Sequence, residues 1–173
     1  MYCGCNPTAL SSQLQISRAL IRLMAEKPYA AVTVSELCRA AGVSRPTFYS
    51  LFSSMENVVL FTLRERACQL PRDFGGSPLE HLCRGYSRYI SDNRDYLKLL
   101  AENDVGYLLY DSICDALLQC PDCPGTMDRR YSARFIAGGI TGVAREYCVA
   151  ETPVSADDLY EILMGLFSGS FLR

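Results

Sequence analysis

The chain has little of what enzymes, membrane proteins and secreted proteins usually show. Its 173 residues include one histidine, His81, and no Gly-rich phosphate loop, GxSxG nucleophile motif or HExxH zinc motif. No apolar run approaches the length of a membrane helix, and Met1 to Pro7 lack the charged-then-apolar order of a secretory signal. The sequence therefore predicts a cytoplasmic, non-enzymatic protein with no cofactor, no metal and no membrane partner.

A large excess of charge is also absent. The net charge of −2 argues against a protein that coats nucleic acid through charge alone. The charge is divided unevenly, however, because residues 1–66 carry a balance of +3 and residues 67–173 a balance of −5. A slightly basic N-terminal part is thus followed by an acidic remainder, and the 49% of hydrophobic residues are sufficient for a real core.

The nine cysteines do not form the pattern of a disulfide scaffold. Two close pairs stand out, Cys3 with Cys5 and Cys120 with Cys123, but more than a hundred residues separate them, which argues against a shared zinc site within one subunit. A redox or soft-metal switch at Cys120 and Cys123 remains an alternative. The other five occur singly in apolar helical patterns and are predicted to be small buried hydrophobes: Cys38, Cys68, Cys83, Cys114 and Cys148.

Apolar residues recur at three and four positions rather than two, which predicts an all-α protein of about nine helices. The first helix runs from about Thr8 to Glu26 and stops before Pro28. A fourth begins with a capping box of Ser53 and Glu56 and runs toward Leu70. A loop at Arg72 to Pro78 follows, and then five more helices are expected, at Leu79–Ser91, Arg94–Glu102, Val105–Gln119, Met127–Ala150 and Ala156–Phe171.

Two short helices lie between the first and the fourth. Thr33 and Glu36 form a capping box for a helix that starts at Val34 and ends at Gly42, the residue type suited to a sharp left-handed turn. Ser44 then caps the next helix, whose first turn contains Pro46. The short turn between these helices is typical of a helix-turn-helix unit, although that geometry also occurs in proteins that do not bind DNA.

The third helix is predicted to have an inner and an outer face. Phe48 and Phe52 lie four residues apart and face the core. The other residues can bond phosphate oxygens and base edges in a major groove, or they form an ordinary solvated helix face. This candidate contact set consists of Arg45, Pro46, Thr47, Tyr49 and Ser50.

The segment TVSELCRAAGVSRPTFYSLFSSMENVV resembles the DNA-binding head of the tetracycline-repressor (TetR) family, and with the first helix the likeness covers about Thr8 to Leu63. The resemblance implies a homodimer that places one recognition helix per subunit in successive major grooves of double-stranded operator DNA. It also implies that Thr33 and Tyr49 contact phosphate while the other outer residues approach base edges. The candidate DNA-binding residues are Thr33, Ser44, Arg45, Pro46, Thr47, Tyr49 and Ser50.

Two positions depart from the family pattern. Leu51 stands where an aromatic or basic residue is common, and Met55 stands where a phosphate-binding lysine usually opens the fourth helix. The loss of one such lysine is expected to flatten the salt dependence of DNA binding by about one unit.

The remainder resembles, more weakly, regulators related to the dihydroxyacetone-kinase activators, through NRDYLKLL and RFIAGGITGVAREY. The implied organisation is a DNA-binding domain at residues 1–63, a linking helix to about residue 70, and an effector-sensing and dimerisation domain at residues 71–173. The last two helices would form the dimer interface, or would pack within the monomer. The interface candidates are Phe135, Gly138, Gly139, Gly142, Val143, Leu163, Leu166 and Phe167.

Five tyrosines between the head and the last two helices are candidates for an effector pocket, because phenols combine an apolar ring with a hydrogen-bonding tip; alternatively, they lie at the solvent-exposed edge of the core. They are Tyr86, Tyr89, Tyr96, Tyr107 and Tyr110. The effector would be a small molecule or a protein. The predicted function is that of a sequence-specific repressor released by an effector; the alternatives are an activator of the dihydroxyacetone-kinase-activator type, a redox- or metal-responsive regulator, and a helical bundle that binds proteins only.

Overall fold

The computed structural model describes residues 6–70, 75–119 and 129–169, and these ranges form nine α-helices and one short 3₁₀ helix. No strand occurs among the described residues, so the predicted all-α fold is confirmed. The 3₁₀ helix spans Tyr29–Ala31, between the first two α-helices. The α-helices of the described residues are α1 (Pro7–Glu26), α2 (Val34–Ala41), α3 (Arg45–Leu51), α4 (Met55–Ala67), α5 (Pro78–Asp92), α6 (Arg94–Glu102), α7 (Tyr107–Gln119), α8 (Arg129–Val149) and α9 (Ala156–Phe167).

The cap of α4 differs from the predicted one. Ser54, not Ser53, accepts the N–H of Asn57, at 3.3 Å, so the predicted capping box of Ser53 with Glu56 is wrong by one residue. The helix also ends at Ala67 rather than near Leu70, because the amide of Gln69 turns back to the carbonyl of Arg66, three residues earlier.

Two further boundaries differ for local reasons. The amide of Val105 donates to the carbonyl of Leu100 at 3.0 Å, as part of the end of α6, so α7 starts at Tyr107 and not at Val105. The last helix ends at Phe167 rather than Phe171, and Gly169 then adopts a φ of 75°. The predicted first two residues of α8 lie outside the described residues.

The chain divides into two compact units. The first unit runs to Glu65 and also includes Leu99–Leu108, which the sequence-based division at residue 63 had assigned to the C-terminal domain. A hydroxyl pair, Ser17 and Thr62, joins α1 to α4 with its oxygens 2.7 Å apart. The core of this unit contains almost fully buried apolar side chains from α1 to α4 and the residue after α3, namely Ile16, Leu20, Leu37, Phe48, Phe52, Val58 and Leu63.

The second unit comprises Arg66–Lys98 and the described residues from Leu109 onward. In it α5 packs against α9 and α8. Ser77 caps α5 and Ser155 caps α9, each with a reciprocal capping box. Its most buried side chains are Cys83, Ile90, Ala133, Ala137, Ile140, Leu159 and Leu163. Of the helices in both units, none has the length together with the apolar character that a bilayer crossing requires.

Candidate nucleic-acid interface

The turn between α2 and α3 gives α3 a fixed starting direction. Gly42 follows α2 with a φ of 67°, a left-handed conformation that strains residues with a Cβ. Its amide donates to the carbonyl of Arg39 at 3.3 Å, and the amide of Val43 donates to the carbonyl of Cys38 at 3.0 Å. These two bonds satisfy carbonyls of the last turn of α2. The chain therefore enters α3 in a defined geometry.

α3 has a buried and an exposed side. Phe48 and the residue after the helix, Phe52, are fully buried, as the spacing predicts. Leu51, where the family pattern favours an aromatic or basic residue, is buried as well. On the other side Tyr49 is 53% exposed, and its ring meets the edge of Phe48 at 5.3 Å between centroids. The core thus fixes α3 while a set of polar side chains faces solvent.

The hydroxyls of α3 hold its first turn. The oxygen of Ser44 accepts the amide N–H of Thr47 at 3.1 Å and lies 2.8 Å from the hydroxyl oxygen of Thr47. Ser50 donates its hydroxyl to the carbonyl of Thr47 at 2.8 Å. Each hydroxyl oxygen has two lone pairs, so these contacts leave capacity for a further partner. Ser44, Ser50, Arg45 and Pro46 are exposed, and Thr47 is half-buried.

Thr33 lies at the start of α2, where its hydroxyl oxygen accepts the amide N–H of Glu36 at 3.2 Å. The carboxylate of Glu36 forms an ion pair with Lys27. The side chain of Lys27 also donates a hydrogen bond to this carboxylate, which lowers the pKa of Glu36. The charge of Lys27, a backbone hydrogen bond at Thr33 and the charge of Arg39 lower this pKa by smaller amounts. The one acidic side chain in the first turn of α2 is therefore neutralised by a cation at the same end of the helix.

The segment from Leu99 to Leu108 is tied to the rest of the first unit through Asn103. Its side-chain oxygen accepts the amide N–H of Tyr29 at 2.7 Å, and its side-chain nitrogen donates to the carbonyl of Met24 at 3.4 Å. Tyr107 donates its hydroxyl to Glu56 at 3.2 Å. Sequence reasoning missed Asn103, because an asparagine after a helix looks like an ordinary helix end.

The five pocket tyrosines do not all lie in one unit. Tyr107 belongs to the first unit, and the other four belong to the second. Tyr89 and Tyr96 are buried, and the guanidinium of Arg66 lies 4.6 Å from the ring centroid of Tyr96. Burial raises the pKa of Tyr89, with contributions from Tyr96 and Tyr86, while the charge of Arg66 lowers it. Tyr86, Tyr89 and Tyr96 thus form one cluster with Arg66.

Tyr110 has a different partner. Its hydrogen bond with Arg134 raises the pKa of that guanidinium. Tyr110 therefore joins α7 to α8, whereas three of the five tyrosines lie near Arg66, and the pocket itself stays a prediction.

One strip of the exposed side of α8 consists of aromatic and small residues. Tyr131 and Phe135 are 74% and 76% exposed, and Gly138 and Gly142 follow on the same side of the helix. Beside them lies a groove of about 540 Å³ between α8 and α9, with lining residues that include Gly138, Gly142, Val143, Tyr147, Ala150, Leu159 and Ile162. Tyr131 and Ile162, both exposed, were absent from the predicted interface.

Three of the predicted interface residues have contacts within the second unit. Leu163 is fully buried. A Cβ on Gly139 would lie 3.3 Å from the ring of Phe167, so this glycine gives room to that ring. Leu166 remains 37% exposed. Apart from Leu163, the predicted interface residues are exposed or half-exposed, namely Phe135, Gly138, Gly139, Gly142, Val143, Leu166 and Phe167.

Four of the five single cysteines are buried, and the expectation for Cys68 is wrong. Cys68 is exposed, because it follows the last residue of α4. Burial raises the pKa of Cys83 to about 11, so this thiol stays protonated at neutral pH. The described ranges contain no group of three or more side chains that could hold a metal ion. Cys3, Cys5, Cys120 and Cys123 lie outside the described residues.

Comparisons with known proteins agree on the N-terminal part. Residues 16–60 match the model of the bacterial regulatory proteins, tetR family. The HTH-type transcriptional regulator EthR of Mycobacterium tuberculosis is 40% identical over 60 residues, and the EthR of Mycobacterium bovis gives the same values. This similarity covers 35% of the chain and 27% of EthR, so the chain matches about a quarter of the length of these curated relatives.

Solved structures share the fold over nearly the whole chain. The Listeria innocua protein Lin0861 superposes with a TM-score of 0.81 at 17% identity, covering 100% of this chain and 97% of its own. A TetR transcriptional regulator from Streptococcus agalactiae gives 0.59 at 16% identity, covering 92% and 94%. The dihydroxyacetone kinase operon activator DhaS gives 0.57 at 19% identity, covering 92% and 95%. At these identities the likeness concerns the fold alone.

Proposed function

Because residues 16–60 match the model of the tetR family of bacterial regulatory proteins, we propose that the chain is a sequence-specific transcription regulator of this family that binds operator DNA as a homodimer. The family consists of regulators without enzymatic activity, which agrees with the sequence-based expectation that the chain is not an enzyme. The observation that carries the proposal is the outer face of α3, where Arg45, Pro46, Tyr49 and Ser50 are exposed above a fully buried Phe48.

The chemistry of this face suits a major groove. An arginine can donate two parallel hydrogen bonds to a guanine, and short hydroxyls can bond base edges or phosphate oxygens. The phenol of Tyr49 and the hydroxyl of Thr33 are suited to phosphate oxygens, which fix the register of a protein on the duplex without reading its sequence. In this proposal Arg45, Thr47 and Ser50 read bases, and Thr33 and Tyr49 position the head.

The second copy is proposed to cover the exposed side of α8 and the adjoining groove. A single-chain fold leaves Phe135 and Tyr131 three-quarters exposed on this side, which costs free energy in water. The exposed glycines Gly138 and Gly142 allow another helix to approach the backbone closely. Binding of such a dimer to an inverted repeat requires its two α3 helices to reach half-sites about 34 Å apart, or a multiple of that distance.

The effector is proposed to act through the cluster formed by Arg66, Tyr86, Tyr89 and Tyr96. Arg66 belongs to the last turn of α4, the helix that begins in the head, so a ligand that contacts Arg66 contacts the linking helix directly. A ligand that binds one arrangement of α4 more tightly raises the fraction of dimers whose two heads have the spacing of the half-sites. The size of this shift is limited by the difference between the ligand's affinities for the two arrangements.

We propose repression as the outcome of operator binding, since a dimer seated on a promoter blocks polymerase. Activation is the second candidate, and the observation in its favour is the shared fold with a protein described as an operon activator. A redox response at Cys120 and Cys123 is a further alternative. A reporter gene behind the selected operator, with and without the regulator, separates repression from activation by the sign of the change.

The test of DNA recognition is selection of binding sites from a random duplex pool by the reduced protein at moderate salt. We expect an inverted repeat. Arg45→Ala is expected to weaken binding to that repeat by about 1–3 kcal/mol and to relax specificity at one position per half-site, and Tyr49→Phe to weaken it without changing the preferred sequence. Arg88→Ala, an exposed arginine of α5, is the control. Failure to enrich any sequence, or unchanged affinity in both head variants, would contradict the proposal.

A further inference from the structure

Another groove lies within the first unit, between α1 and α2, and none of the candidate DNA-binding residues lines it. Its volume is about 500 Å³, within the range of about 300–1,000 Å³ that is usual for ligand-binding pockets. We refer to it as the α1–α2 groove. The described residues that line it are Gln15, Arg18, Ile21, Arg22, Ala40 and Ala41. None of these six residues belongs to a site predicted from the sequence.

One part of the α1–α2 groove is apolar. Ile21 and Ala41 are half-buried in it, and Ala40 is exposed beside them. The space depends on the two alanines, because a longer side chain at either position would occupy part of it. α1 and α2 pack against each other, and their core residues Leu20 and Leu37 are almost fully buried. The groove is therefore preformed, and binding to it requires little ordering of the protein.

The remaining part of the groove is basic. Arg18 and Arg22 are exposed and lie four residues apart on α1, about 6 Å along the helix axis. The Nη2 of Arg22 donates to the carbonyl of Ala40 at 3.3 Å, which holds the guanidinium at the groove while its other N–H groups can bind a partner. Neither arginine forms an ion pair with a carboxylate of the described residues. Two uncompensated positive charges thus lie beside an apolar surface.

We propose that the α1–α2 groove binds an acidic amphipathic helix of a partner protein. A helix with carboxylates four residues apart presents them about 6 Å apart along its axis, which is the spacing of Arg18 and Arg22. An apolar side chain on the same face of that helix covers Ile21, Ala40 and Ala41, as in other complexes of a helix with a groove. Arginine suits such an interface because its guanidinium can donate two parallel hydrogen bonds to one carboxylate.

The apolar surface favours a protein segment over a nucleic acid as the occupant. A phosphate could pair with both arginines, but it is hydrophilic and gains nothing by covering the isoleucine and the alanines. A leucine or phenylalanine of a partner helix removes this surface from water together with its own. The inference goes beyond the proposed function and does not depend on it, because the residues of the groove and the candidate DNA-binding residues are separate sets.

Selection from a displayed library of random peptides tests the proposal without DNA. The peptides have about 18 residues, which is about five helical turns. The wild-type protein is the target, and the double variant Arg18→Glu with Arg22→Glu removes peptides that bind elsewhere. We expect enrichment of peptides with two acidic residues four positions apart and a large apolar residue on the same face. Enrichment of no peptide, or of peptides without the acidic pair, would overturn the proposal.

Fluorescence anisotropy with one selected peptide then separates charge from shape. Arg18→Glu is expected to weaken binding at least about tenfold, and it alters no hydrogen bond of the described residues. Ala40→Leu keeps both charges but fills part of the groove, and we expect a similar loss. The matched control is Arg39→Glu, because Arg39 is exposed next to Ala40 but does not line the groove. This control is expected to bind like the wild type, and an equal loss in it would reduce the effect to the overall charge of the first unit and overturn the proposal.

Reversed charges supply a further readout. A peptide with lysines in place of its two acidic residues is expected to bind the double variant Arg18→Glu with Arg22→Glu and not the wild type. Circular dichroism verifies that each variant keeps its helical content. Binding of the lysine peptide to neither protein, while the acidic peptide binds both, would place the peptide outside the groove.

The operator assay decides whether the groove serves DNA instead. Arg18→Gln and Arg22→Gln are expected to leave the salt dependence of operator binding unchanged. A slope lower by about one unit for each arginine would assign both side chains to phosphate contacts and overturn the proposal. If the selection from duplex DNA yields no operator, the proposed function fails, while the peptide selection still decides the role of the α1–α2 groove.

Discussion

Replacing Phe135 by alanine tests the exposed side of α8 as the surface between two copies. The side chain is 76% exposed in the single chain, so its loss removes little packing from the second unit. Full burial of a phenylalanine contributes about 1.5–3 kcal/mol, and three-quarters of that is about 1–2 kcal/mol. A two-fold interface contains the residue twice, so the dimer is expected to lose about 2–4 kcal/mol. The dissociation constant would then rise about 30- to 1,000-fold.

Sedimentation over a range of concentrations measures this change directly. The matched control is Tyr49→Ala, because Tyr49 is also an exposed aromatic residue but lies on α3. We expect the control to dimerise like the wild type and to lose operator binding, and Phe135→Ala to keep its helical content while it dissociates. Equal dissociation constants for the wild type and both variants would refute the reasoning and would place the dimer contact elsewhere.

Three other perturbations have defined outcomes. Met55→Lys is expected to steepen the dependence of log affinity on log salt by about one unit, because it restores a phosphate contact at the start of α4; an unchanged slope in a salt titration would contradict this. Among the cysteines of the described ranges, the exposed Cys68 is expected to react with iodoacetamide at least tenfold faster than Cys83, as peptide mapping will show. Burial, followed by the charges of Glu56 and Tyr107, raises the pKa of Tyr29 from 10.0 to about 12, so the folded protein keeps a proton that the unfolded chain loses. The raised pKa of Tyr29 therefore stabilises the folded protein below pH 10, and this stabilisation declines between pH 10 and about 12. Urea unfolding across this range should show a smaller decline in the free energy of unfolding for Tyr29→Phe than for the wild type, and parallel curves of that free energy against pH would exclude the effect.

Local sequence signals predicted the head well because each of them acts over a few residues. Gly42 and the caps at Thr33 and Ser44 are found in the structure at the positions where their chemistry placed them. The error at Ser53 has the same origin, since two adjacent serines offer the same cap and the local pattern does not choose between them. Phe48 and Phe52 could likewise be assigned to the core from their spacing alone.

The remaining features depend on contacts between residues that are distant in sequence. Arg94 donates to the carbonyls of Tyr147 and Ala150, which follow it by more than fifty positions, and nothing in its own neighbourhood distinguishes it from Arg88. Leu163 and Leu166 have the same apolar chemistry on one helix, yet the first is fully buried and the second is partly exposed. Periodicity identifies the apolar side of a helix, but it does not say whether a neighbouring helix or a second subunit covers it.

Leu99–Leu108 belongs to the first unit although it lies far from the rest of that unit in sequence. This limits how the first unit can be exchanged between proteins in chimeras. A head excised at residue 63 would leave the amide of Tyr29 and the carbonyl of Met24 without the side chain of Asn103. A chimera with a single junction, which joins this head to the sensor domain of another regulator, would therefore carry the other protein's segment at these positions. Chimeras that carry residues 99–108 together with the head are expected to fold more stably than those with one junction, so the transferable part of this protein consists of two separate stretches of chain.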